Sequence, residues 1–351
     1  MLLAILYCAL LAAWYLLGLS PAGGWWPYRL ASLFAIWLFL PLPALLLYAA
    51  WRRRWQAMAL LTLPLALLAV QYGYLLLPRQ AAASGVPLRV MTANLLSSNA
   101  EVGALGVAIA KEHPDLLAVQ ELNPDLAKGL AAQVGREFPY VLLYPDESYP
   151  TLGLYSRFPL AASAVSDNGG DGCPCQQATA DVNGRAVTVL NVHPPRPTLG
   201  FRRIGPVPVP TTFDTARRDR ALGAIVARAQ TIAGPLIVLG DFNTSDRDPA
   251  YGMLAGTLDD AFRAAGWGPG YTFPSRSSFD GWPSQGGGIE IFYLPVVRID
   301  YVFTSPGWTP TGAQVVNVPG SDHLSVVADL ALTGGGSAQR PASGPASPAG
   351  P

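Results

Sequence analysis

The sequence predicts an α/β domain, built on one mixed sheet or two packed sheets with helices outside, carried behind three membrane-spanning helices. Three observations lead there. The first 78 residues are almost continuously apolar, with four arginines (Arg29, Arg52, Arg53, Arg54) and no acid. From residue 88 to 332, short apolar runs that read as strands alternate with amphipathic helical stretches. Polar residues recur where those strands end. The whole chain balances 23 basic against 23 acidic residues, so the part beyond residue 78 carries 19 basic and 23 acidic. That excludes a wholly soluble protein and a strongly basic polyanion-binding domain. Three cysteines are too few for a disulfide scaffold and lack the spacing of a cysteine zinc site.

Three apolar runs, Leu2 to Leu19, Leu30 to Ala50 and Ala57 to Leu77, each approach the ~20 residues that a helix rising ~1.5 Å per residue needs to cross a ~30 Å hydrocarbon core. The first has no basic stretch before it, unlike a signal peptide, and two further runs follow. Arg52, Arg53 and Arg54 fall between the second and third runs, which places that loop in the cytoplasm and everything after Leu77 outside. Trp25, Trp26 and Tyr28 then lie at the outer interface. No Asp, Glu, Lys or His interrupts the runs, so residues 1–78 read as an anchor rather than a transport path. Residues 79–87, with Ala81-Ala82-Ala83-Ser84-Gly85, read as a linker. The Gly-, Ser-, Ala- and Pro-rich tail, 333–351, cannot build a core and is expected to be disordered.

Between linker and tail, strands are expected at 88–92, 116–120, 140–143, 153–155, 186–192, 236–239, 298–303 and 324–330, and helices at 101–112, 125–136 and 213–231. Gly172-Cys173-Pro174-Cys175 lies in a glycine-rich loop where a short disulfide or two free thiols are both open; Cys8 reads as packing in the first run. His113, after a helix and before Pro114, reads as a surface cap.

The residues at the strand ends are Asn94, Glu121, His193, Asp241 with Asn243, Asp300, and the pair Asp322-His323. Each alone has an ordinary explanation, because Asp, Asn and His cap turns and helices. Their convergence points to a site, since open α/β sheets place their chemistry at strand ends. Asn94, Gln120-Glu121, Asn191-Val192-His193, Gly240-Asp241-Phe242-Asn243, Arg298-Ile299-Asp300-Tyr301-Val302 and Ser321-Asp322-His323 follow one another as in the endonuclease/exonuclease/phosphatase superfamily, which the chain resembles over residues 88 to 332.

That resemblance implies a four-layer α/β sandwich of two packed mixed sheets flanked by helices, and metal-assisted hydrolysis of phosphoesters. Carried over by position, Glu121, Asn94 and Asp322 would hold Mg²⁺ or Mn²⁺, hard cations that prefer oxygen donors. Asp241 would orient or deprotonate the attacking water and Asn243 would hold it or the phosphate. His323, its tautomer fixed by Asp300, would donate to the phosphate, and His193 would contact it from the other side. His193 also bears on the branch: the abasic-site repair branch usually lacks a histidine there.

Beyond the motifs, 194–220 holds Arg196, Arg202, Arg203, Arg217, Arg218 and Arg220 against Asp214 and Asp219, around the apolar stretch 204–210. Arg196 and Arg203 are expected to receive an anionic substrate, and the segment could touch the membrane face; its plainer reading is a solvated loop followed by an ordinary Arg-rich helix face. A second insertion, 275–294, reads as a rim loop. The expected activity is that of a membrane-anchored phosphodiesterase or phosphatase acting outside the cytoplasm on a lipid, small-molecule or nucleic-acid phosphoester. Its alternatives are an extracellular or periplasmic nuclease and a catalytically silent, membrane-tethered binding module.

Overall fold

The computed structural model describes residues 1–77, 84–144, 151–162, 175–205, 207–275 and 295–333. The apolar segment folds into α1 (Leu2–Gly18), α2 (Trp26–Ser32), α3 (Pro41–Trp51) and α4 (Trp55–Tyr72). This corrects the expectation of three membrane spans. Among the described residues one helical stretch, Trp55–Leu76, is long and apolar enough to cross a membrane by length and composition. The second apolar run is broken, its two parts Trp26–Ser32 and Ala35–Trp51 bent by 72°. The break falls at Leu33 and Phe34, where Phe34 leaves helical geometry (φ −108°, ψ 20°) before the chain turns again at Ala35. The first run ends at Gly18 after 17 helical residues, the short limit of a span. Leu11, Leu42, Leu61, Phe39 and Tyr72 bury one another in a core of their own.

Beyond it the chain runs β1 (Val86–Asn94), α5 (Val102–Glu112), β2 (Leu116–Gln120), α6 (Pro124–Val134), β3 (Tyr140–Tyr144), β4 (Leu152–Ser156), β5 (Leu160–Ala162), β6 (Cys175–Val182), β7 (Arg185–Val192), β8 (Thr198–Ile204), β9 (Val207–Asp214), α7 (Ala216–Thr231), β10 (Leu236–Asp241), α8 (Pro249–Ala255), β11 (Asp259–Asp260), α9 (Ala261–Ala265), β12 (Asp300–Thr304), β13 (Trp308–Asn317) and β14 (Leu324–Leu332). One sheet has the order β13-β14-β1-β2-β4-β3 and the other β11-β12-β10-β7-β6-β5, while β8 and β9 form a separate hairpin. Both sheets are mixed: β1 is parallel to β2 and β10 to β7, with antiparallel neighbours outside.

The period-2 alternation of side chains sorts the layers. Leu88 and Val90 of β1 meet Val189, Ile237, Leu239 and Val326 between the sheets. Met91 and Ala93, pointing the other way, pack under Leu105, Ile109 and Leu130 of α5 and α6. On the far side, Leu222, Ile225 and Leu254 of α7 and α8 cover Leu190, Leu236 and Val238. The architecture is thus helices, sheet, sheet, helices. A buried polar tie crosses between the sheets: Gln120 Nε2 donates to Asn191 Oδ1 at 2.7 Å, and Asn191 Nδ2 donates to the carbonyls of Val119 and Gly153. With each polar group satisfied, this tie fixes how one sheet sits on the other.

All eight expected strands are present, with β1 starting at Val86, inside what reads as linker. The expected third helix begins later, because Phe213 and Asp214 still belong to β9. His113 is the left-handed C-cap of α5, the capping role expected of it. Strands β6 and β13 escape a pattern search for particular reasons. The buried half of β6 is largely small or polar (Gln176, Ala178, Ala180), and the alternation of β13 slips at a register shift between Pro310 and Gly312. Cys173, the rim insertion from 276 to 294 and the tail from 334 lie outside the described residues.

Candidate active site

Parallel pairing decides where the site lies. The C-terminal ends of β1, β2, β7 and β10 carry Asn94, Glu121, His193 and Asp241 to one edge of the sandwich. Strands β12 and β14 run antiparallel to β10 and β1, so their beginnings lie at that same edge; Asp300 sits opposite Asp241 in register. Ser321, Asp322 and His323 precede β14 there. The edge is therefore assembled from both sheets, and it needs unusual backbone. Gly240 has φ 153°, and a Cβ there would meet the Val192 carbonyl oxygen at 1.9 Å. Glu121 and Asn243 adopt left-handed conformations (φ 54° and 51°), a strain that Asn tolerates and Glu rarely shows.

Asp241 is the hub. Its carboxylate accepts from the Asn243 backbone N–H at 2.9 Å and from Asn94 Nδ2 at 3.1 Å. His193 Nε2 stands 3.5 Å and His323 Nε2 3.8 Å from its Oδ2. Asn94 Nδ2 also donates to Glu121 Oε1 at 3.2 Å. His323 Nδ1 meets Asp300 Oδ2 at 2.9 Å, both side chains buried, and Asp322 Oδ1 lies 4.0 Å from the other ring nitrogen. Of the ten residues singled out from sequence, eight come together here. Arg196 and Arg203 do not: both are exposed on the stretch leaving His193 and neither bonds to the cluster.

Electrostatics sets the protonation pattern. Burial disfavours a charged His323, yet the neighbouring carboxylates of Asp300 and Asp241 overcome it and push the imidazole up to about 10. Burial likewise opposes charge on His193, and its contact with Asp241 and the charge of Glu121 still raise it. Burial would raise Asp241, but the two imidazoles hold it below the usual carboxylate range. The arrangement sets a carboxylate held low between two imidazoles held high.

Asp241, Asp300 and His323 bring ligand atoms within 4.8 Å of one another. Within that trio the His323 Nδ1 is already engaged by Asp300, so imidazole and carboxylate hold each other. The carboxylates left facing the edge are Glu121 and Asp322, with side chains 31% and 22% exposed, while Asn94 is buried beside them, its Oδ1 accepting from the Leu96 N–H. Carboxylate oxygens are what Mg²⁺ or Mn²⁺ prefer, so Glu121 and Asp322 offer the chemistry such an ion needs.

Several further residues support the cluster, Thr272 and Phe273 among them with no signal of their own in the sequence. Ser321 Oγ donates to the Asn94 carbonyl at 2.6 Å and accepts from the His323 N–H at 3.0 Å. Thr272 Oγ1 accepts from the Asp300 N–H, and the Phe273 ring lies 4.9 Å from the His323 ring. Arg218, almost wholly buried, donates to the Asn243 carbonyl at 3.1 Å and pairs with Asp219 and Asp248 at 2.6 and 2.9 Å. Arg29 of α2 closes that group from the apolar segment, 2.8 Å from Asp248 and 3.1 Å from Asp219. The spacing Arg218-Asp219, with Asp248 before Pro249 as a helix N-cap, is the only local hint of this quartet.

A two-sheet sandwich with carboxylates, amides and a paired histidine at one edge defines a class, the phosphoester hydrolases built on this sandwich. Within it the chain belongs to the Endonuclease/Exonuclease/phosphatase family, whose pattern matches residues 91–323. Its fold is similar to that of a humanised D. rerio TDP2 (TM-score 0.51, 15% identity, 70% of this chain and 99% of that one). It is also similar to C. elegans TDP2 (TM-score 0.52, 16% identity, 82% and 88%). A third similar structure is D. rerio TDP2 complexed with a single-strand DNA product (TM-score 0.50, 15% identity, 70% and 98%). No curated protein matches the sequence.

Proposed function

We propose that the chain is a divalent-metal-dependent phosphoester hydrolase, a phosphodiesterase or phosphatase anchored in the membrane with its catalytic domain on the extracytoplasmic side. The observation that carries the hydrolytic reading is the meeting of Glu121, Asn94, Asp241, Asn243, His193 and the His323–Asp300 pair at one edge, drawn from both sheets. Glu121, Asn94 and Asp322 would hold Mg²⁺ or Mn²⁺, which when bound polarises a phosphate oxygen and offsets developing charge. Asp241, kept ionised, accepts a hydrogen bond from water and aims its lone pair at phosphorus. Asn243, tied by its Nδ2 to the Pro194 carbonyl and to Asp241, presents a fixed amide to the same place. His323, held by Asp300, donates from Nε2 to the phosphate as negative charge builds, and His193 does so from the opposite side.

For the full chain purified in detergent, hydrolysis of a nitrophenyl phosphodiester is expected with Mg²⁺ and its loss with EDTA. Glu121→Gln removes a ligand charge and no core volume, so turnover should fall by about 10²-fold or more with the fold intact. Near-normal turnover at limiting Mg²⁺ refutes the assignment. Membrane placement rests on the apolar helices and the Arg52 to Arg54 turn. A phosphatase reporter after Leu332 should be active and one within that turn inactive; the reverse pattern refutes the orientation. A nuclease reading draws on the DNA product bound by D. rerio TDP2. The 19 basic and 23 acidic residues beyond the apolar segment weigh against long DNA.

A further inference from the structure

We infer that the active site opens against the lipid–water interface, with the β8–β9 hairpin entering it, and that the phosphoester cleaved is the headgroup of a membrane lipid. The inference rests on the anchored-hydrolase reading above and adds to it a surface and a substrate class.

The hairpin is rooted in the site. It begins five residues after His193, and the Pro194 carbonyl at its base accepts from Asn243 Nδ2 at 3.1 Å. It joins neither sheet. At its end Ile204 and Val207 pair with each other, 63% and 57% exposed, and Arg202 and Arg203 are exposed just behind them. Apolar residues at a projecting tip with cations behind suit a surface whose interior is hydrocarbon and whose headgroups are anionic. Pro208 and Pro210 lie on β9, where the missing N–H groups blunt the edge against pairing with another strand. The tip is thus badly made for a β-strand partner and well made for lipid.

The position of the apolar segment gives the same direction. Helix α2 packs against β9, next to Trp25, whose ring is exposed. Elsewhere in the same apolar segment Trp37 stacks on Tyr271 with ring centres 6.3 Å apart, and its Nε1 donates to the Val296 carbonyl at 3.5 Å. Two residues beyond Tyr271, Phe273 lies against His323. The apolar segment therefore touches both the hairpin rooted beside His193 and the loop whose Phe273 lies against His323, so a bilayer holding it lies beside the catalytic edge rather than across the domain from it.

The test uses the full chain reconstituted in nanodiscs of phosphatidylcholine and phosphatidylglycerol. Hydrolysis of the disc phospholipid is compared with hydrolysis of a soluble nitrophenyl phosphodiester. Ile204→Asp with Val207→Asp should lower lipid hydrolysis tenfold or more and leave the soluble ester within twofold. In a background of Cys8→Ala, Cys173→Ser and Cys175→Ser, a bimane label on Ile204→Cys should be quenched by doxyl-labelled lipid. Equal losses on both substrates, unchanged lipid hydrolysis or an unquenched label each overturn the inference. Wild-type hydrolysis of the soluble ester with lipid left intact overturns it alone, while hydrolysis of neither substrate overturns it together with the reading beneath it.

Discussion

If His323 and Asp300 act as one unit, removing both should cost little more than removing either. The ring and the carboxylate are 2.9 Å apart and buried, at 5% and 1% exposure. Asp300→Ala frees the ring to rotate and deprives the imidazolium of its partner; His323→Ala removes the donor itself. Positioned acid–base groups contribute about 10² to 10⁴ in rate, or roughly 3 to 5 kcal/mol at ~1.4 kcal/mol per decade. Independent residues would multiply, giving a double variant down by about 10⁴ to 10⁸, whereas a unit keeps it near 10² to 10⁴. His193→Ala, reaching Asp241 separately, should deepen the loss when combined with His323→Ala. Breaking a buried pair also costs about 3 to 5 kcal/mol of stability, so turnover must be expressed per folded molecule, with thermal melting measured on each variant. Additive losses for Asp300 and His323 refute the pairing. Reduced melting temperature with unchanged turnover per folded molecule refutes the catalytic role altogether.

Two further expectations concern the quartet of Arg29, Arg218, Asp219 and Asp248. Arg29→Gln leaves the fully buried Asp248 with one cation in place of two and should cost on the order of 2 kcal/mol, less than a broken buried pair because Arg218 remains; an unchanged melting temperature would exclude this docking. The acidic limb of the stability curve should carry a signature of Asp219. Burial opposes its charge, but Arg218, Thr215 and Arg29 hold its carboxyl below the usual range. A lowered folded-state value means that the stabilisation is present above the unfolded carboxylate range, near pH 4, and is lost as pH falls through the folded value. Asp219→Asn should flatten urea stability over that window, and an unaltered slope would refute the coupling.

What the chain discloses in advance depends on distance along it. Glu121 and Asp241 are readable because an apolar strand of a few residues ends on each, a local pattern that survives any tertiary context. The helices α5 and α6 follow from apolar spacing on a single face. The quartet shows only as the neighbours Arg218-Asp219 and the Asp248 cap, since it joins residue 29 to residues 218, 219 and 248 and nothing near Arg29 announces a carboxylate. Thr272 and Phe273 were missed because they support Asp300 and His323 from a loop outside the strand pattern. The apolar segment misled for a physical reason: counting apolar residues registers hydrophobicity but not backbone direction, and the second run breaks at Leu33 and Phe34, two apolar residues that carry no turn signal.

The pairing of β1 with β14 sets Val86 opposite Leu332, the two ends of the domain. On a ribosome adding ~5–20 residues per second, β1 waits on the order of 10 to 50 s for that partner. Throughout this interval one hydrogen-bonding edge of β1 is open, an invitation to wrong pairing that long-range sheets generally extend. Strand β14 is preceded directly by Asp322 and His323, so its release supplies the missing edge and the last site residues together. A chain terminated anywhere before residue 320 should therefore be both aggregation-prone and inert, and no shortened product should retain a fraction of the activity.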